Sequence, residues 1–121
     1  MATLAVITVN VHDMDQAVVF YTEHLGFGVR DATAAPAYVE LESEGPLLLL
    51  QQCERPAKAD YPDGACVLLN LAIDDVEAEL GRLRAIGADV LHDKPQLCPV
   101  GRYIAVADPS GNVVELIEFT R

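Results

Sequence analysis

Glu115 is the first residue of this chain that suggests chemistry, because it is a carboxylate set in the otherwise hydrocarbon run Val113-Val114-Glu115-Leu116-Ile117. A carboxyl group partly removed from water has its pKa pushed upward unless a donor or a cation pairs with it. Such a group can orient a cationic or hydrogen-bond-donating ligand, or serve as a general base. It can equally be an inherited residue that sits solvated. Tyr103 offers a hydroxyl that could assist. Thr8, Asn10, Gln51 and Asn70 are polar groups that could cluster with Glu115, and carboxamide oxygens with one carboxylate take a hard cation only weakly. No Ser-His-Asp or Cys-His nucleophilic arrangement is present, and no Gly-rich phosphate loop.

The elements that must position these residues repeat. Thr3 to Val11 reads as a strand, followed by His12-Asp13-Met14-Asp15-Gln16 and an apolar-periodic helix through Val18, Val19, Tyr21 and Leu25, ending at Gly26. Val67 to Ile73 reads the same way, followed by Asp74-Asp75-Val76-Glu77, then Leu80, Leu83 and Ile86, ending at Gly87. The two copies are offset by 73 − 11 = 62 positions, so that Val11 falls on Ile73 and Asp13 on Asp75. Asp13 or Asp75 can accept from the free N–H groups of a first helical turn. Gln16 after Asp13, and Glu77 after Asp74, stand in capping-box register. Each helix is followed by three strand-like runs: Phe27–Arg30, Ala37–Leu41 and Leu47–Gln52, then Ala88–Leu91, Arg102–Ala107 and Asn112–Phe119. Acidic turns join the last two runs of each half, Glu42-Ser43-Glu44-Gly45 and Asp108-Pro109-Ser110-Gly111. The spacing predicts a βαβββ module over 1–53, an exposed linker over 54–64 and a second module over 65–121, packing as one domain of 121 residues. Tyr61 lies in that linker, where an aromatic side chain either rests exposed or closes over a pocket mouth.

Strand alternation assigns the faces. Ala5, Ile7, Val9 and Val11 suit packing beneath a helix, which turns Leu4, Val6, Thr8 and Asn10 the other way. The repeat gives Leu68, Asn70 and Ala72 the equivalent face in the second module. In the last strand Val114 and Leu116 go with the helix, and Val113, Glu115, Ile117 and Phe119 face inward. Aligning Gly45 with Gly111 sets Leu49 in the place of Glu115, with Leu47 and Gln51 beside it. Phe20 and Tyr21 read as core packing. Tyr38 and Tyr103 occupy equivalent third-strand positions, where packing and stacking on a planar ligand both fit. Arg102 either solvates a strand start or supplies a cation near the inner face. His12, His24 and His92 fall at a strand end, late in the first helix and near a strand end, none on the predicted inner face.

Two segments of the chain resemble the vicinal oxygen chelate superfamily, which includes glyoxalase I, extradiol dioxygenases and bleomycin-resistance proteins. They are Val11-His12-Asp13-Met14-Asp15-Gln16-Ala17-Val18-Val19-Phe20-Tyr21 and Ala107-Asp108-Pro109-Ser110-Gly111-Asn112-Val113-Val114-Glu115-Leu116. The second is the more specific, since D-P-x-G-N-x-x-E-L is a habitual close of this family. The resemblance implies an α+β fold, in which two βαβββ modules form curled mixed sheets around a cavity, and a homodimer. It also implies four metal-ligand positions, one on each module's first strand and one on each last strand, filled by His, Gln or Glu in metal-dependent members. Carried onto this chain they are Val6, Leu49, Leu68 and Glu115. An aliphatic side chain offers no lone pair, so the expectation is no metal and no cofactor.

Composition narrows the partners. Nineteen acidic against eight basic residues give a formal charge of −11, spread evenly along the chain, which opposes phosphate backbones and favours a cationic ligand. The longest apolar run, Pro46–Leu50, is too short to span a bilayer, and the N-terminus lacks the pattern of a signal peptide. Cys53, Cys66 and Cys98 form an odd set without a C-x-x-C pair, which predicts free thiols and a reducing cytoplasm. The expected function is metal-free binding of a small molecule, an antibiotic or a planar or cationic metabolite, at Val6, Thr8, Leu49, Gln51, Leu68, Asn70, Tyr103 and Glu115. The alternative is a lyase, isomerase or dioxygenase with a degenerate metal site, whose catalysis would rest on Glu115.

Overall fold

The computed structural model describes residues 1–120, and its chain divides into two compact units, Met1–Ala57 and a second that begins at Lys58, within the predicted linker. The first unit contains β1 (Val6–Val11), α1 (Met14–Val19), β2 (Val29–Asp31), β3 (Tyr38–Leu41) and β4 (Leu47–Gln52). The second contains β5 (Leu69–Ala72), α2 (Val76–Ala85), β6 (Asp89–Val90), β7 (Gln96–Cys98), β8 (Gly101–Ala107) and β9 (Val113–Phe119). This is the mixed α+β architecture expected from the repeat. Each sheet is open rather than closed on itself.

Both sheets have the same order. It is β1-β4-β3-β2 in the first unit and β5-β9-β8-β6 in the second, with β7 added alongside β8. In each, the first and last strands pair in parallel, and the remaining pairs are antiparallel. The ladders fix the repeat at residue level, because Thr8 faces Leu49 in one sheet and Asn70 faces Glu115 in the other. The offsets are 70 − 8 = 62 and 115 − 49 = 66, as the sequence alignment required.

One face of each sheet is covered by its helix. Leu41, Leu48, Leu50 and Val11 are buried with Met14, Ala17 and Tyr21 in the first unit. Ile104, Val106, Val114 and Leu116 are buried with Val76, Leu80 and Leu83 in the second. The helix starts follow the caps. The Asp13 carboxylate accepts from Gln16 N at 3.0 Å, and that of Asp75 from Ala78 N at 3.1 Å. Asp75, not Asp74, therefore caps α2, and the Asp74–Glu77 capping box does not form. Instead the Glu118 carboxylate accepts from Val76 N at 3.0 Å, tying the helix start to β9. Gly26 and Gly87 end the helical segments at φ 87° and 76°, where a side chain would be strained.

Two elements depart from the sequence reading. After Val19 the first helix widens into a π-helical stretch, Phe20–His24. The Thr22 hydroxyl donates to Val18 O at 2.6 Å and competes with the backbone for that carbonyl, which loosens the turn. Strand β7 was not foreseen. It pairs with the start of β8 after a break at residues 91–95 that contains Pro95.

Candidate functional site

The candidate site lies on the face of the second sheet turned away from α2. The registers set Asn70 beside Glu115 and Glu115 beside Ala105, with Ile117 next to Tyr103. Alternation then gives this face Asn70, Val113, Glu115, Ile117, Tyr103 and Ala105. Glu115 and Tyr103 are half-buried, Asn70 is exposed, and Val113, Ile117 and Ala105 are buried. A floor of hydrocarbon therefore carries one carboxylate, as the alternation argument required.

Tyr61 reaches this carboxylate from the segment before β5. Its hydroxyl donates to Glu115 Oε2 at 2.6 Å, a short charge-assisted bond across 115 − 61 = 54 positions of sequence. Tyr61 is half-buried on Glu115 rather than resting exposed. Burial comes first, then the Glu115 hydrogen bond and charge, then Tyr103, in pushing the Tyr61 phenol well above its ordinary 10.0. A donor thus meets the carboxylate, which is the condition under which a half-buried acid is tolerated.

The sign of this linkage gives a pH prediction. A phenol whose folded pKa is raised holds its proton more tightly when folded, so its stabilising contribution is complete below the unfolded value of 10.0. That contribution is lost as pH climbs from there towards the folded pKa. Tyr61→Phe should melt below wild type at neutral pH, and the gap should close above the ordinary tyrosine range. A gap unchanged in alkaline melts would mean that Tyr61 does not hold its proton against Glu115.

His92 is a correction. Expected off the inner face, it packs against it, because its imidazole fills the break between β6 and β7. Leu91 N donates to Ala105 O at 2.9 Å, and Ala105 N donates to His92 Nδ1 at 3.1 Å. The side chain stands in for a missing strand partner. An accepting Nδ1 leaves the ring proton on Nε2. The His92 ring then contacts Tyr61 (centroids 5.7 Å apart, planes at 74°) and Tyr103 (5.7 Å, 84°).

A pocket of about 440 Å³ opens beside this cluster, lined by Tyr61, Leu91, Ala107, Val113, Lys58 and Pro109 among others. This volume suits a small ligand. Its rim is the β8–β9 turn. There Asp108 Oδ1 accepts from Ser110 N and Asn112 N, both at 2.9 Å, and Oδ2 accepts from Asn112 Nδ2 at 2.8 Å. Gly111, at φ 94°, lies against the Lys58 side chain, and its carbonyl accepts from Ala59 N at 3.1 Å, so the same turn anchors the segment that carries Tyr61. Arg102 faces the other way, with Glu118 at 3.4 Å and Glu77 at 3.9 Å, and supplies no cation to the inner face.

The remaining predicted positions lie in the first unit or at the start of the second sheet. Val6 and Thr8 are exposed on β1, while Leu49 and Gln51 are half-buried on β4. They share one open face with Tyr38, which pairs with Gln51. Leu68 is half-buried one residue before β5. A metal does not fit the four positions named for it. Val6, Leu49 and Leu68 have no donor atoms, and Glu115 already gives one oxygen to Tyr61. Among the described residues, no three His, Cys, Asp or Glu side chains are grouped to hold an ion.

The fold and this arrangement define a class: the chain belongs to the glyoxalase/bleomycin resistance protein/dioxygenase superfamily, whose family model matches residues 3–116. Among solved structures it is similar to TnmS3, an antibiotic binding protein from Streptomyces sp. CB03234, with 26% identity over 99% of this chain and 98% of that one and a TM-score of 0.76. It shares the fold of a lactoylglutathione lyase from Agrobacterium tumefaciens, at 24% identity over 98% and 94% of the two chains and TM-score 0.74. It also shares that of FosX, a fosfomycin resistance protein from Listeria monocytogenes, at 17% identity over 99% and 93% and TM-score 0.80. No curated protein is significantly similar in sequence.

Proposed function

We propose that this chain binds a small apolar or planar molecule, an antibiotic or a metabolite, without a metal at the positions its family uses for one. The observation that carries this reading is the residue content of those positions, where Val6, Leu49 and Leu68 offer hydrocarbon and Glu115 is held by a phenol. Hydrocarbon with a few fixed polar groups is what small-ligand sites are made of. The similarity to an antibiotic binding protein supports the same reading. The working form we propose is a cytoplasmic homodimer, supported by open sheet edges, by exposed inner-face residues such as Val6, Tyr38 and Phe119, and by three free cysteines. No helix is long and apolar enough to cross a membrane among the described residues. The excess of acid opposes nucleic-acid binding.

The test is a thermal-shift and calorimetric screen of metal-stripped protein against antibiotics and metabolites. At least one compound should raise the melting temperature and bind without turnover, and a compound at about 100 times its Kd should add about 2.7 kcal/mol. A screen in which nothing stabilises the protein sinks the binding role. A tight stoichiometric site for Zn²⁺, Ni²⁺, Mn²⁺ or Fe²⁺, with activity towards 2-oxoaldehyde–thiol adducts or catechols, would instead establish the lyase or dioxygenase alternative.

A further inference from the structure

The ring geometry around Glu115 goes beyond a generic apolar cavity. His92 meets Tyr61 at 74° and Tyr103 at 84°, each with centroids 5.7 Å apart. His92 thus stands edge-to-face with both tyrosine rings, and the three rings adjoin at one corner of the sheet face. That corner carries a carboxylate, since Tyr61 ends on Glu115. Aromatic faces attract cations through the ring quadrupole, at centroid distances up to about 6 Å. A cluster of rings beside an acid suits an alkylated ammonium group, which is weakly hydrated and gains from ring faces as well as from a carboxylate.

Lys58 lines the neighbouring pocket, but Asp60, Asp89 and Asp108 line it too, so carboxylates outnumber cations there. Arg102, next to Tyr103 in sequence, is turned to Glu118 and Glu77 on the opposite face. The whole chain carries −11, so the long-range field draws cations in. His92 is held in one orientation by the Ala105 N–H, so this ring is fixed before a ligand arrives.

We infer that Tyr61, His92, Tyr103 and Glu115 form a subsite for a tertiary or quaternary alkylammonium group, with the remainder of the ligand lying in the neighbouring pocket by Leu91 and Val113. This rests on the small-molecule-binding reading and specifies which end of the ligand is recognised. Tyr61 and Tyr103 supply ring faces and Glu115 the charge, while His92 positions both rings.

Benzyltrimethylammonium and its neutral carbon isostere neopentylbenzene separate charge recognition from apolar burial. Titrated into the full chain and followed by NMR of the Tyr and His ring signals, the cation should bind at least about tenfold more tightly than the isostere. Glu115→Gln keeps an acceptor for Tyr61 and should cut cation affinity about tenfold while leaving the isostere unchanged. Tyr103→Leu, which keeps an apolar side chain on β8, should also reduce the cation preference. Melting curves of both variants establish that they fold; should Tyr103→Leu fail to, Glu115→Gln alone decides. Equal affinity for the two probes, or a preference that survives Glu115→Gln, overturns the inference. If library compounds bind but show no preference for the ammonium, the proposed function stands and the subsite falls. If the cation binds through Glu115 and no antibiotic or metabolite stabilises the protein, the subsite stands and the sequestering role falls.

Discussion

Asp108→Ala is expected to lower the melting temperature by roughly 10 °C, the equivalent of about 3 kcal/mol for a domain of this size. The side chain is only 5% exposed and accepts from Ser110 N, Asn112 N and Asn112 Nδ2. Alanine would remove the carboxylate that all three donors share, and a hydrogen bond to a charged group contributes about 1.5–3 kcal/mol. Asp108→Asn should lose less, because its carbonyl oxygen can still accept from the two backbone donors, and only the bond from Asn112 Nδ2 is lost, its new NH2 being a donor facing a donor. Urea midpoints and thermal melts of both variants check the order. An alanine variant as stable as wild type would mean that the turn is held by its backbone alone. The D-P-x-G-N sequence habit thus has a local cause: it builds the turn that presents β9, and with it Glu115.

Gly101→Ala should be comparably damaging, about 3 kcal/mol, for a steric reason. A Cβ at Gly101 would collide with the Glu118 backbone oxygen on the neighbouring strand. Gly101 faces Phe119 on one side and Cys98 on the other, so the collision falls where β7, β8 and β9 meet. Relief requires β8 and β9 to separate, which displaces Tyr103 two residues on. The variant should therefore lose stability and weaken any ligand that uses Tyr103. A folded Gly101→Ala protein with unchanged melting temperature would show that the strand edge yields at little cost.

Much of the architecture was legible because repetition and alternation are properties of sequence. The β4 boundaries, Leu47–Gln52, coincide with the expectation, and the inward row ending in Val113, Glu115 and Ile117 follows from period two alone. The candidate-site residues divide differently. Glu115 was visible as a charge in a hydrocarbon strand. Its partner Tyr61 was only a linker aromatic, because a contact across so much sequence leaves no local pattern. His92 was misplaced for a related reason. The stretch His92-Asp93-Lys94-Pro95 reads as loop chemistry, and so it is, but a broken edge strand leaves an unpaired N–H opposite it. Pro95 is a local sign that strand pairing with β8 is interrupted, but it does not show that a side-chain acceptor takes over the Ala105 N–H.

The matching ladders have an evolutionary consequence. Thr8 across from Leu49, and Asn70 across from Glu115, are the same backbone address in two copies, one closed by hydrocarbon and one by a carboxyl group. A homodimer of single modules could never do this, because symmetry would write any acid twice and force two like charges into equivalent places. Joining the copies in one polypeptide lifts that obligation. One half can carry hydrocarbon at an address where its twin carries an acid, so that shape and charge are set by separate codons.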